Sequence, residues 1–81
     1  MTPLGLLVAK RIRMQRIALG ITQTELALLL GSTVNMVQHY EKGFCQMPLD
    51  HLNDFAKLCM VPVDWFFLED YEMLVYVRMV K

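Results

Sequence analysis

Cysteine is scarce in these 81 residues: Cys45 and Cys59 stand fourteen positions apart and form no C-x-x-C pair. The pair does not indicate a disulfide, and it fits a reducing cytosol, in which thiols stay free. A zinc ion held by Cys45, His39 and His51 would have three ligands at spacings that match no familiar site. No metal and no cofactor is therefore expected. Long apolar runs are also missing: none exceeds a handful of residues, against the ~18–20 needed to span a bilayer. Leu4–Ala9 is apolar, but its charges follow rather than precede it, unlike a signal peptide. A cytoplasmic chain with no membrane partner is expected. There is no glycine-rich phosphate loop, no nucleophile–base arrangement and no paired catalytic carboxylate, so the chain is not expected to be an enzyme. Nothing repeats, and with four glycines and three prolines no linker divides the sequence. One domain is expected over residues 1–70, with a distinct tail over residues 71–81.

What the sequence does contain is concentrated in Thr22–Gly43, TQTELALLLGSTVNMVQHYEKG. Thr22 with Glu25 is a capping box, in which the threonine oxygen accepts from the third helical N–H and the glutamate reaches back. Leu26, Leu29 and Leu30 follow as an apolar stripe at helical spacing, with Ala27 beside it. Gly31 supplies a left-handed residue to end that helix. Thr33 is a second cap, and Val37 with Tyr40 carries a new stripe until Gly43 closes it. Two short helices joined by a turn of three to four residues make a helix-turn-helix, whose second helix is free to enter a major groove.

The formal net charge is zero, but it is unevenly divided. Residues 1–44 hold five basic side chains against two acidic ones, for +3, whereas residues 45–81 hold three against six, for −3. The half containing the motif can present a positive face to phosphates while the other half stays acidic. Affinity for DNA scales with the phosphates neutralised, so one subunit is expected to bind non-specific DNA only modestly. The hydrophobic fraction of 56% is high for so short a chain and points to self-association.

Five helices are expected. Thr2 caps and Pro3 opens the first, which runs to about Leu19 with Leu4, Leu7, Val8, Ile12 and Leu19 on its apolar face. The helix-turn-helix supplies the second and third. Pro48 starts a fourth through about Cys59, with Leu49, Leu52, Phe55, Ala56 and Cys59 inward, and a short fifth begins near Pro62. The seven methionines and the Trp65–Phe66–Phe67 cluster read as core and interface packing. The tail Tyr71–Val80 is β-branched and aromatic, which favours a strand paired with the same strand of a second subunit. A sixth amphipathic helix carrying Leu68, Tyr71, Leu74 and Val75 on one face is the competing reading. Either way the tail is the candidate for dimerisation.

The opening G-I-T-Q-x-E-L-A at Gly20–Ala27, then Gly31, Thr33, Val37 and the closing Y-E-K-G at Tyr40–Gly43, resemble the Cro/C1 repressor class, or XRE family. The likeness extends upstream to RIRMQRIALG and downstream to FAKLCMVPVDWFF at Phe55–Phe67, covering roughly residues 6–68. It implies an all-α, five-helix lambda-repressor-like domain. It also implies that Gln23 sits at a phosphate and buttresses the reading helix, and that Arg16 pairs with Glu41 to fix how that helix docks. Two departures stand out: Met60 replaces a usual helix-ending glycine, and the loop Phe44–Met47 reads FCQM where relatives often carry lysine or arginine.

Thr33, Val34, Asn35 and Met36, at the start of the third helix, are expected to face the groove, with Gln38 and His39 one turn on. Asn35 is the sharpest candidate, because its amide can form a bidentate pair with adenine N6 and N7. Gln38 has the same chemistry, while Val34 and Met36 offer only apolar contact with a thymine methyl. His39 can donate to a base or a phosphate, and the helix tilt decides between it and Gln38. Arg11, Arg13 and Lys42 are assigned to the phosphate backbone, with Gln46 the one polar contact in the loop. The expected function is a sequence-specific DNA-binding regulator, a repressor that binds an inverted repeat of double-stranded DNA as a homodimer. The alternative is a protein-interaction module on the same scaffold, such as an antitoxin or a partner-binding regulator with weak DNA affinity.

Overall fold

The computed structural model describes residues 3–69; the Thr2 cap and the tail over residues 71–81 lie outside them. Within that span are four α-helices, α1 (Pro3–Ala18), α2 (Gln23–Leu30), α3 (Val34–Lys42) and α4 (Leu49–Cys59), followed by a 3-10 helix at Val63–Phe67. No strand occurs among the described residues. The fifth element therefore differs from the expected α-helix. Its bonds run three residues back, from Trp65 N–H to Pro62 O at 3.0 Å and from Leu68 N–H to Trp65 O at 3.2 Å. Five residues are too few to repay α-helix nucleation, and the tighter 3-10 turn suits so short a piece.

The helix boundaries follow from local chemistry. Thr22 Oγ1 accepts from Glu25 N–H at 3.1 Å while Glu25 Oε1 accepts from Thr22 N–H at 2.9 Å, which satisfies two donors at the start of α2. Gly31, at φ 66°, turns the chain so that Ser32 N–H reaches back to Ala27 O at 2.8 Å. Thr33 Oγ1 then accepts from Met36 N–H at 3.2 Å and starts α3. The whole reversal between α2 and α3 takes three residues, Gly31–Thr33.

Burial sorts the apolar residues more narrowly than periodicity does. The core holds Ile12 from α1, Leu26, Ala27 and Leu30 from α2, Val37 and Tyr40 from α3, Leu52, Phe55 and Ala56 from α4, and Met47, Trp65 and Phe66. Phe66 ties its far end together, with ring centroids 5.8 Å from Phe55 and 5.2 Å from Trp65 in an edge-on contact. Four expected inward residues are instead exposed: Leu4, Leu19, Leu29 and Leu49. Leu29 lies on the flank of the α2 stripe centred on Leu26, Ala27 and Leu30. Leu4 and Leu49 belong to first turns that overhang the core, and Leu19 follows the end of α1.

Met60 occupies the left-handed position that ends α4, at φ 60° and ψ 37°, and Val61 N–H bonds Ala56 O at 3.1 Å. The motif survives without glycine, at the usual steric cost of a Cβ in that region, roughly 1–2 kcal/mol. The side chain is 91% exposed and contributes little burial in return. Met60→Gly is therefore expected to stabilise the protein by about 0.5–1 kcal/mol, after allowing for the greater freedom of glycine in the unfolded chain. Urea denaturation measures this directly; an unchanged or lower midpoint would refute it.

Candidate nucleic-acid interface

α3 buries Val37 and Tyr40 and turns the opposite side outward. Asn35, His39 and Lys42, at helical i, i+4 and i+7 spacing, are all exposed, with Gln38 half-buried beside them. Val34 is exposed at the start of the helix, and Met36 is partly buried against the core. Thr33 is exposed; its oxygen caps α3, which leaves its own hydroxyl proton available to donate. The outward face thus carries an amide, an imidazole and an ammonium in one row, with a second amide at its edge.

The other side of α3 is held by one carboxylate. Arg16 grips Glu41 through both arms, Nε to Oε2 at 2.6 Å and Nη2 to Oε1 at 3.1 Å. The third guanidinium nitrogen, Nη1, donates to Ile21 O at 3.0 Å. Gln23 Nε2 donates to Glu41 Oε1 at 3.1 Å. The Arg16 and Glu41 side chains are 13% and 2% exposed, so water can do little to replace these bonds. Arg16 comes from the end of α1, Gln23 from the start of α2 and Glu41 from the end of α3, and the network fixes the three helices against one another. A carboxylate only accepts, so the Gln23 amide nitrogen must face it. The second hydrogen on that nitrogen remains for another acceptor.

Arg11 corrects an expectation. It was assigned to the phosphate backbone, yet it is 1% exposed. Its Nε and Nη2 donate to Leu68 O at 3.3 and 3.0 Å, its Nη1 lies 3.2 Å from the Met14 sulfur, and its guanidinium carbon sits 5.8 Å from the Trp65 ring centroid. A buried cation so engaged cannot neutralise a phosphate. It clamps the end of the 3-10 helix onto α1. The hint was positional: Arg11 stands one turn after Val8 and beside Ile12, on the edge of the stripe that α1 buries. Arg13 and Lys42 are exposed, as is Gln46 in the loop before α4.

Sequence reading passed over Phe44, which is 68% exposed at the end of the α3 row. Its ring lies 5.8 Å from that of His39, and Lys42 Nζ is 5.8 Å from its centroid. The cysteines offer little chemistry here. Burial pushes the Cys59 thiol up to about 11, away from a reactive thiolate. Among the described residues no cluster of three His, Cys, Asp or Glu side chains could hold a metal ion.

A helix-turn-helix family model matches residues 12–66. The chain belongs to the Cro/C1-type helix-turn-helix family. Members of this family are DNA-binding transcriptional regulators rather than an enzyme class. An uncharacterized HTH-type transcriptional regulator of Sinorhizobium medicae is 37% identical over 65 residues, which cover 80% of this chain and 47% of that protein. An uncharacterized transcriptional regulator in the ATPase CF(0) region of Rhodospirillum rubrum is 38% identical over 60 residues, 74% of this chain and 56% of that protein. The chain thus spans about half the length of the curated relatives it matches. The crystal structure of a hypothetical transcription factor, NHTF, from Neisseria superposes with a TM-score of 0.78 at 25% identity, covering 90% of this chain and 84% of that one. No described helix is long and apolar enough to cross a membrane.

Because the Glu41 side chain is buried and held by three hydrogen bonds from two partners, removing one partner should cost more than removing the pair. Arg16→Met is expected to destabilise by about 3–5 kcal/mol, the cost of stranding a buried charge. Adding Glu41→Leu to it should recover part of that loss. A double-mutant cycle by denaturant unfolding measures the coupling; strictly additive effects would contradict the buried-pair account.

Proposed function

We propose that this chain is a sequence-specific DNA-binding repressor that acts in the cytoplasm as a homodimer on an inverted repeat. The observation that carries the reading is the outward face of α3, where Asn35, His39 and Lys42 form one exposed row while the opposite side is locked through Glu41. Asn35 reads adenine through its amide, with Gln38 or His39 one turn further along the groove. Thr33, Val34 and Met36 complete the leading end, the last two through thymine methyls. Gln23 directs its remaining amide hydrogen to a phosphate while it buttresses α3. Lys42 and Arg13 neutralise phosphates, and Arg11 takes no part. The domain over residues 1–70 reads DNA and the tail over residues 71–81 joins two copies, which sets the half-sites about one helical turn, roughly 34 Å, apart.

The second reading, a protein-interaction module, draws on a different observation. An apolar groove of about 420 Å³ runs between α1 and the start of α4, with Leu4, Val8, Met47, Leu49 and Phe67 among its walls. Leu4 and Leu49 are 52% and 68% exposed there. Such a groove suits a partner helix or a second copy.

Selection of bound duplexes from a random pool, followed by affinity against salt, separates the two. The repressor reading predicts a palindromic site and a log–log salt slope of several, with Asn35→Ala losing about 1–3 kcal/mol on that site. A pool in which nothing is enriched, with Asn35→Ala indistinguishable from the parent, would sink it in favour of a protein partner. Light scattering on a chain ending at Asp70 checks the tail: a monomer is expected, and a persistent dimer would contradict its role.

A further inference from the structure

The outward row of α3 does not stop at Lys42. Phe44 extends it, with its ring against His39 on one side and the Lys42 ammonium over it at 5.8 Å. The backbone holds it there: Gly43 reverses the chain at φ 78°, and Phe44 N–H is bonded to His39 O at 2.9 Å. The ring is nevertheless 68% exposed, in a loop that holds Cys45 and Gln46 but no cation. An aromatic face in water forgoes the burial that its area makes favourable, and it is placed to gain that burial on contact.

We propose that Phe44 packs against the deoxyribose adjoining the phosphate that Lys42 neutralises, so that the loop grips DNA through an apolar contact. The inference rests on the DNA-reading function proposed above. Its occupant follows from continuity with the reading face and from covalent neighbourhood. A sugar is bonded to every backbone phosphate, so an ammonium held over a ring brings the ring to the sugar when it meets the phosphate. The carbon face of deoxyribose is the same in all four nucleotides, so the contact adds affinity without sequence information. It carries no charge and releases no counterion. Phe44 and Lys42 thus leave different signatures: one changes affinity at every salt concentration equally, the other changes the salt dependence.

The test uses the full chain with one selected duplex and one scrambled duplex, titrated across salt, for the parent, Phe44→Ala, Phe44→Leu, Lys42→Ala and Asn35→Ala. Phe44→Ala is expected to weaken binding to both duplexes about three- to tenfold with an unchanged log–log slope, as for loss of part of an aromatic contact. Phe44→Leu should restore most of that loss, and Lys42→Ala should lower the slope by about 1. Parental affinity in Phe44→Ala would overturn the contact, as would a shallower slope. A loss confined to one thymine position, and abolished when that base is uracil, would overturn the sugar in favour of methyl reading. Should Asn35→Ala weaken binding while Phe44→Ala does not, only the sugar contact fails. Should the parent bind no duplex, the DNA-reading function itself fails and takes this inference with it.

Discussion

A carboxylate almost wholly withdrawn from water must be compensated by the protein itself, and Glu41 draws that compensation from the two helices beside it, α1 and α2. Arg16 supplies charge and two of its bonds, Gln23 supplies a third, and Arg16 also reaches the Ile21 carbonyl in the turn between α1 and α2. Apolar packing of Val37 and Tyr40 would hold α3 against the core at many slightly different rotations. A bidentate guanidinium–carboxylate pair tolerates far fewer, because both oxygens and both nitrogens must meet in one plane. The buried pair thus converts a greasy contact into a defined orientation, and the row Asn35, His39 and Lys42 inherits that orientation.

A second buried cation performs a comparable service at the other end of the molecule. Arg11 holds the Leu68 carbonyl and lies by the Trp65 ring, which joins the C-terminal 3-10 helix to α1. The two arginines stand five residues apart on α1, and each fastens a different element to it. That use of arginine leaves the interface with few free cations, consistent with an uncharged loop at Phe44–Met47 and a net charge of zero. Any grip on a polyanion must then lean on amides, the helix face and apolar contact more than on a dense basic patch.

Much of this was legible where the information is local. The capping box at Thr22 and Glu25, the glycines at 31 and 43, and the Thr33 cap each depend on a few adjacent residues, and α2 and α3 begin and end by them. Resemblance supplied the link between Arg16 and Glu41, twenty-five residues apart, which no local pattern encodes. What escaped was whatever depends on the width of a buried stripe. Periodicity places Leu29 and Leu49 near an apolar face but does not say where the neighbouring helix stops, and both are exposed. The same ambiguity hid Arg11, whose charge suggested solvent while its position suggested the core. Met60 was legible as a departure from the usual helix-ending glycine, and the turn keeps its left-handed form because hydrogen bonding at the end of α4 outweighs the strain of a non-glycine residue.

The face of α3 opposite the Arg16–Glu41 pair is the surface proposed above to meet DNA. Backbone amide chemical shifts recorded while a selected duplex is titrated into the full chain test it most directly. The largest changes are expected on residues 33–44 and on the start of α2 at Gln23, with the Arg16 side-chain N–H still protected. Changes centred instead on Leu4, Leu49 and the groove between α1 and α4, with α3 silent, would contradict it.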